Sequence, residues 1–214
     1  MAGRRSGARS IDVGGGSEQS DGVEANARLT SSTALVLFVL LAVEGATVLQ
    51  VRSLLSVHVF VGVLLVPPVL LKIASTGYRF ARYYLGAPGY RRKGPPPWLL
   101  RLLGPAVVVL TVVLFGSGVA LMYAGSAAHT VLLTAHKASF VLWFLAMTVH
   151  VLGHLPETFR EGFADWVGRA GRPVTGSGAR RAALVLSLAV GAVAAAAVLG
   201  RVGPYLAGHL GGPG

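Results

Sequence analysis

The chain has 214 residues, of which 53% are hydrophobic and only 13% are charged, and it contains no cysteine. Its mean hydropathy of +0.65 lies well above that of a soluble domain, so the composition predicts an integral membrane protein. Without cysteine the chain has no disulfide, thiolate metal site, iron–sulfur cluster or covalently attached c-type haem. Any redox chemistry therefore needs a cofactor bound without a covalent link.

Five apolar blocks follow a polar N-terminal segment. Each is close to the ~20 residues that a helix needs to cross about 30 Å of hydrocarbon. The blocks cover residues 33–50, 54–76, 103–123, 130–153 and 182–200. The pattern predicts an all-α integral membrane protein with five transmembrane helices, arranged as an up-and-down four-helix bundle plus one accessory C-terminal helix.

The basic residues predict how these helices are oriented. Of 19 Lys and Arg, four precede the first block, six lie between Arg79 and Arg101, and five lie between Arg160 and Arg181. The positive-inside rule then predicts a multi-pass protein of the cell's inner (plasma) membrane, with the N-terminus cytoplasmic and the C-terminus extracytoplasmic. Topology and contact with anionic membrane lipid account for the net charge of +11, and no nucleic-acid partner is expected.

These observations predict the domain organisation. Residues 1–32, which lack apolar periodicity, are expected to form a disordered cytoplasmic tail. The four-helix core covers 33–155, a basic cytoplasmic loop covers 156–181, the fifth helix covers 182–200 and an extracytoplasmic tail covers 201–214.

Two histidines carry the functional prediction. The second and fourth helices run parallel in this topology, and His58 and His136 each lie a few residues from the outer end of one of them. Two neutral imidazoles at equal depth can fill both axial positions of a haem iron, which favours electron transfer over oxygen binding. Gly62, Gly116 and Gly118 are expected to let the macrocycle approach the helix backbones. Because ionisable residues are rare at membrane depth, a functional site is the default hypothesis.

A second polar position follows on the fourth helix. His150 lies 14 residues after His136, a separation of ~21 Å on nearly the same face. Aromatic and sulfur side chains lie between them in a stripe that reads His136, Phe140, Trp143, Met147, His150 and His154. On the second helix, the residue 14 positions after His58 is Lys72 rather than another histidine.

This arrangement resembles the bis-histidyl membrane b-type cytochromes, which include transmembrane ascorbate-reducible cytochromes and the cytochrome subunits of formate dehydrogenase and nickel hydrogenase. The segments HVFVGVLLVPPVLLKIASTGYRFARYYLG and HKASFVLWFLAMTVHVLGH look like small actinobacterial membrane proteins with the same helix count. The resemblance covers roughly residues 35–155. It implies a four-helix core that carries haem b, with the fifth helix as an accessory.

The sequence departs from this family at Lys72, because members with two haems place two histidines on each of two helices. One interpretation has a second haem between His150 and Lys72, although lysine ligates iron only when deprotonated. A second has Lys72 extending to lipid phosphate. In a third, the cytoplasmic ends of the helices hold haem propionates or a quinone. The residues of this third set are Lys72, Tyr78, Arg79, Arg82, His150 and His154.

Two other function classes stay open. The histidines could bind a transition metal or relay protons in a transporter, in which His150 and His154 are the one pair that could chelate together. Alternatively, the protein is a haem-free helical scaffold. The absence of a Gly-rich strand-to-helix turn argues against a flavin or nicotinamide site, so the leading prediction is an electron-transfer module, working with a quinone or a redox partner subunit, rather than a complete enzyme.

Three remaining polar residues lie near the helix ends. Glu44 is expected either to take part in proton movement or to pair with Arg52 or Lys137, or simply to be hydrogen-bonded near the interface. His129 and His209 are expected to face solvent. Within the second helix, Pro67 and Pro68 remove two backbone hydrogen bonds and predict a bend.

Overall fold

The computed structural model describes residues 13–92, 94, 98–162 and 174–209, and every regular element within them is an α-helix. The helices are α1 (Val13–Leu49), α2 (Leu55–Tyr84), α3 (Pro88–Arg92), α4 (Trp98–Leu121), α5 (Ser126–Gly162), α6 (Ser177–Leu199) and α7 (Val202–His209). Five stretches are long and apolar enough to cross a membrane, within α1, α2, α4, α5 and the α6–α7 segment. The predicted all-α membrane fold with five spans is therefore confirmed.

The N-terminal segment differs from the prediction. Residues 13–32, expected to belong to a disordered tail, form the first half of α1. Polar contacts between helices hold this half in place: Asn26 donates a hydrogen bond to the backbone carbonyl of Ser75, and Ser32 donates one to that of Gly162. Residues 1–32 were predicted to be disordered because they lack an apolar stripe. In the described part of this segment, these polar contacts take the place of apolar packing. The remainder of the expected tail lies outside the described residues.

Both boundaries of the expected cytoplasmic loop also move. The loop was predicted to begin at residue 156, but α5 continues through Pro156 to Gly162. At the other side α6 begins at Ser177 rather than at residue 182. The middle of the loop, residues 163–173, lies outside the described part of the chain. Beyond α6, the expected C-terminal tail contains the short helix α7.

Four helices form a closed ring in the order α1, α2, α4, α5. Each contacts its two neighbours in the ring, with α4 lying mainly against α5 and only lightly against α2. In this ring α2 and α5 are diagonal partners, whose backbones make little direct contact. Buried Leu37, Val61 and Leu65 form a core between α1 and α2, with Phe115 of α4 packed against it. Side chains of α2 and α5 can therefore meet only across the middle of the ring.

The fifth spanning helix, α6, packs on α2 from outside the ring. The core between α6 and α2 contains Val59 and Val63 of α2 together with Ala195 and Val198 of α6. α2 remains one helix through Pro67 and Pro68. Since Pro68 has no N–H, the carbonyl of Leu64 loses its usual helical donor.

Gly191 of α6 lies against this freed carbonyl. A Cβ atom at position 191 would lie 2.5 Å from the carbonyl oxygen of Leu64, so only glycine allows the two helices to approach this closely. The prolines and the glycine together therefore fix where α6 docks on α2.

Candidate functional site

His58 and His136 face each other across the middle of the ring. Their ring centroids lie 6.2 Å apart, with the ring planes at 81°. Two imidazoles that bind one metal ion from opposite sides would have ring centroids about 6 Å apart, because each metal–nitrogen bond is about 2 Å long and each nitrogen lies about 1 Å from its ring centre. The structure thus brings together the two histidines that sequence analysis paired, at a separation compatible with two ligands on opposite sides of one metal ion.

Glu44 of α1 holds the His58 ring. Oε1 of Glu44 lies 2.9 Å from Nδ1 of His58. The hydroxyl of Thr47 lies 3.1 Å from the same nitrogen and donates its own proton to the backbone carbonyl of Glu44 at 2.6 Å. Its oxygen is therefore left as an acceptor toward the ring. One of the alternatives from sequence analysis paired Glu44 with Arg52 or Lys137, but both of those side chains are exposed and Glu44 pairs with His58 instead.

The His136 ring is held from α4 rather than from α1. Nδ1 of His136 lies 3.0 Å from the backbone carbonyl oxygen of Leu114 and 3.3 Å from the hydroxyl of Ser117. The Ser117 hydroxyl donates to the carbonyl of Val113 at 2.6 Å, so it also offers an acceptor to the ring. Both contacts of His136 are neutral, whereas His58 faces a carboxylate.

These acceptors assign the tautomer of both rings. A backbone carbonyl has no proton to give, so Nδ1 of His136 must be the N–H donor, and the carboxylate of Glu44 imposes the same role on Nδ1 of His58. In each neutral ring Nε2 then carries the lone pair. Across the described part of the chain, neither Nε2 has a hydrogen-bond partner. Two lone pairs are therefore available to a metal from opposite sides of the ring of helices.

Two of the three predicted glycines lie at this site, but they make room for side chains. A Cβ at Gly118 would lie 2.9 Å from Cε1 of His136, so this glycine accommodates the imidazole. A Cβ at Gly62 would lie 3.2 Å from Oε1 of Glu44, so this glycine accommodates the carboxylate. Gly116 is exposed, and nothing lies within 4 Å of an added Cβ there. That the three glycines let a macrocycle approach the helix backbones stays a prediction.

A second polar cluster lies about four turns farther along the same helices. We call it the lysine cluster; it contains Thr30, Lys72, Ser75, His150 and His154. Nζ of Lys72 donates to the carbonyl of Thr30 at 2.9 Å, and the hydroxyl of Thr30 donates to Ser75 at 3.0 Å. Lys72 therefore points to α1, which differs from the interpretation in which it extends to lipid phosphate. The rings of His150 and His154 lie 4.9 Å apart.

His150 has an unused nitrogen. Its Nδ1 atom is buried, and among the described residues it has no hydrogen-bond partner. Buried polar atoms without partners are rare in folded proteins, and an absent ligand or water is one reason for them. The lysine cluster thus contains a polar atom that a bound molecule could satisfy.

Three members of the predicted set at the helix ends, Tyr78, Arg79 and Arg82, lie close to Tyr90 of α3. The rings of Tyr78 and Tyr90 pack edge to face with centroids 6.0 Å apart. Burial and the neighbouring Tyr78 raise the pKa of the Tyr90 phenol above its usual value, so this residue stays neutral at physiological pH. The Nε atom of Arg82 is buried here without a hydrogen-bond partner in the described chain.

The two remaining histidines are His129 and His209. Nε2 of His129 lies 3.0 Å from the hydroxyl of Tyr205 in α7, which differs from the solvent-facing position that we expected. The side chain of His209 lies outside the described part of the structure. Among described residues, no group of three or more His, Cys, Asp or Glu side chains could hold a metal ion together.

Sequence analysis missed three contributors to the site: Thr47, Leu114 and Ser117. A signal for two of them was present. Thr47 lies three residues after Glu44, on the same helix face, and Ser117 lies between the two glycines of FGSG. Searching for an acceptor for each imidazole N–H would have found them, whereas the backbone carbonyl of Leu114 leaves no trace in the sequence.

Comparison with known proteins finds no matching family model, no similar curated protein and no similar solved structure. The functional argument therefore depends on the geometry of the two polar clusters.

Proposed function

We propose that this protein is a membrane-embedded b-type haem protein that carries electrons, with His58 and His136 as the axial ligands of one haem iron. The supporting observation is the imidazole pair itself, whose centroids lie 6.2 Å apart and whose Nδ1 atoms both face acceptors. A haem with two imidazole ligands supplies one-electron chemistry, because no axial position stays open for oxygen.

The chain's own residues would hold and shield this group. The Leu114 carbonyl and Glu44 carboxylate keep both Nε2 lone pairs directed away from α4 and α1, which reduces the cost of organising the two ligands. Fully buried Leu65 belongs to the neighbouring core, which excludes water from this part of the ring. We propose that this redox module works with a partner subunit or a quinone.

The lysine cluster supports a quinone more than a second haem. Lys72 donates its proton to the Thr30 carbonyl, and an amine used in this way is a poor iron ligand. A quinone oxygen, by contrast, accepts hydrogen bonds, which the Lys72 ammonium and an imidazole N–H of His150 or His154 can donate. We therefore propose one haem per chain, with the lysine cluster as the place where a quinone exchanges electrons.

The basic segments support an orientation in which the N-terminus and the lysine cluster are cytoplasmic. The haem would then lie near the outer face of the plasma membrane, and the proposed quinone near the inner face. The distance from His136 to His150 along α5 is ~21 Å, which would separate the two sites by most of the membrane thickness.

The visible spectrum of the protein purified from haem-replete cells tests this function. We expect a low-spin b-type spectrum with about one haem per chain, lost in both His58→Ala and His136→Ala. His129→Ala is the matched control, because His129 contacts Tyr205 instead of the site and should keep the haem. His150→Ala should also keep it. A colourless wild-type protein would refute the function, and two haems per chain would refute the assignment of the lysine cluster.

A further inference from the structure

The two proposed ligands have unequal partners. Nδ1 of His58 faces the Glu44 carboxylate at 2.9 Å, while Nδ1 of His136 faces the neutral Leu114 carbonyl at 3.0 Å. A carboxylate acceptor draws the N–H proton toward itself and makes the opposite nitrogen a stronger electron donor than a carbonyl acceptor does. The acceptors on α1 and α4, helices that carry neither histidine, thus make the two ligands electronically different.

The surroundings of Glu44 are shaped for this contact. Placing a carboxylate within a membrane helix is costly, and such a group is retained where it has a partner and a function. Gly62 leaves space for Oε1, since a Cβ there would lie only 3.2 Å away. The Thr47 hydroxyl lies 3.4 Å from Oε2. Within the described chain the groups that face the carboxylate are therefore His58 and Thr47, with His136 beyond them, and no lysine or arginine forms an ion pair with it.

We propose that Glu44 is a positioning residue that sets the reduction potential of the bound haem through His58. This inference rests on the proposed function. A stronger donor nitrogen and a nearby negative charge both stabilise ferric iron over ferrous iron, so Glu44 lowers the potential. Glu44 does not touch the iron itself. It acts by orienting the His58 ring and by increasing the basicity of its Nε2 atom.

Redox titration of the purified haem protein, with ferric EPR, tests the role. Glu44→Gln keeps an oxygen acceptor of the same length and removes the charge, so the midpoint potential should rise and the g values should shift while about one haem per chain is retained. The matched control is Glu24→Gln, the same substitution at another carboxylate of α1. Glu24 pairs with Arg28 at 3.3 Å and does not belong to the histidine site, so the potential should stay at the wild-type value.

Two further variants separate the charge from the contact. Glu44→Asp keeps the charge but shortens the side chain, so the potential should rise less than in Glu44→Gln. In Gly62→Ala the new Cβ would crowd Oε1 of Glu44 and weaken its contact with His58, so the midpoint potential should also rise. This variant provides a test even where Glu44→Gln fails to fold. A haem-loaded Glu44→Gln or Gly62→Ala protein with the wild-type potential, or an equal rise in Glu24→Gln, would overturn the role of Glu44 alone. A wild-type protein without haem would overturn the proposed function with it.

Discussion

The imidazoles of His58 and His136 lie 6.2 Å apart although the backbones of α2 and α5 make little contact. Each ring therefore extends from a diagonal position into the centre of the ring of helices. The helices that separate α2 from α5 in the ring, α1 and α4, supply the groups that hold the two rings. All four helices of the core thus contribute to one site.

Gly118 tests whether the position of the His136 ring matters. In Gly118→Ala the new Cβ would lie 2.9 Å from Cε1 and 3.2 Å from Nδ1 of His136, so the ring must move away from the Leu114 carbonyl. We expect haem content to fall severalfold, measured as haem per protein. Gly116→Ala, two residues away on an exposed face, should keep the wild-type content because nothing lies within 4 Å of its Cβ. Equal haem content in both variants would contradict the proposed site.

The α4–α5 pair depends on a buried hydrogen bond. The indole N–H of Trp143 donates to the Thr111 hydroxyl at 2.9 Å, and both side chains are buried. Thr111→Val leaves the indole without an acceptor, which should cost roughly 1–3 kcal/mol and lower the thermal midpoint in detergent.

Thr148→Val provides the control for this variant. Thr148 lies on an exposed face of α5, and its hydroxyl bonds only within its own helix, to the carbonyl of Phe144. Its replacement should change the midpoint much less. If both variants shift it equally, the Trp143 bond does not hold the two helices together.

The sequence was sufficient to predict the five spans and the His58–His136 pair. The length of each apolar segment and the distance of each histidine from the end of its segment can both be counted in the sequence. It was not sufficient for the partner of Glu44. Which residue meets this carboxylate depends on the rotation of α1 about its axis, and no local pattern specifies that angle. The first half of α1 was missed for a similar reason, since contacts such as Asn26 to Ser75 join residues far apart in the sequence.

The docking of α6 should be sensitive to one methyl group. In Gly191→Ala the Cβ would lie 2.5 Å from the Leu64 carbonyl oxygen, and this backbone atom cannot move away as a side chain can. We expect a loss of roughly 1–3 kcal/mol, seen as a lower thermal midpoint in detergent. Gly178→Ala, near the start of the same helix, has nothing within 4 Å and should be neutral or slightly stabilising. A neutral Gly191→Ala would show that α6 does not require this close approach.

The absence of native cysteine makes the predicted orientation directly testable with single introduced cysteines. Ser53 lies exposed between α1 and α2, five residues before His58, and Thr175 lies exposed just before α6. If the positive-inside rule holds, a membrane-impermeant maleimide should label Ser53→Cys in intact spheroplasts and label Thr175→Cys only after permeabilisation. The reverse pattern would put the histidine pair near the cytoplasmic face, and the proposed haem would then exchange electrons with partners on that side.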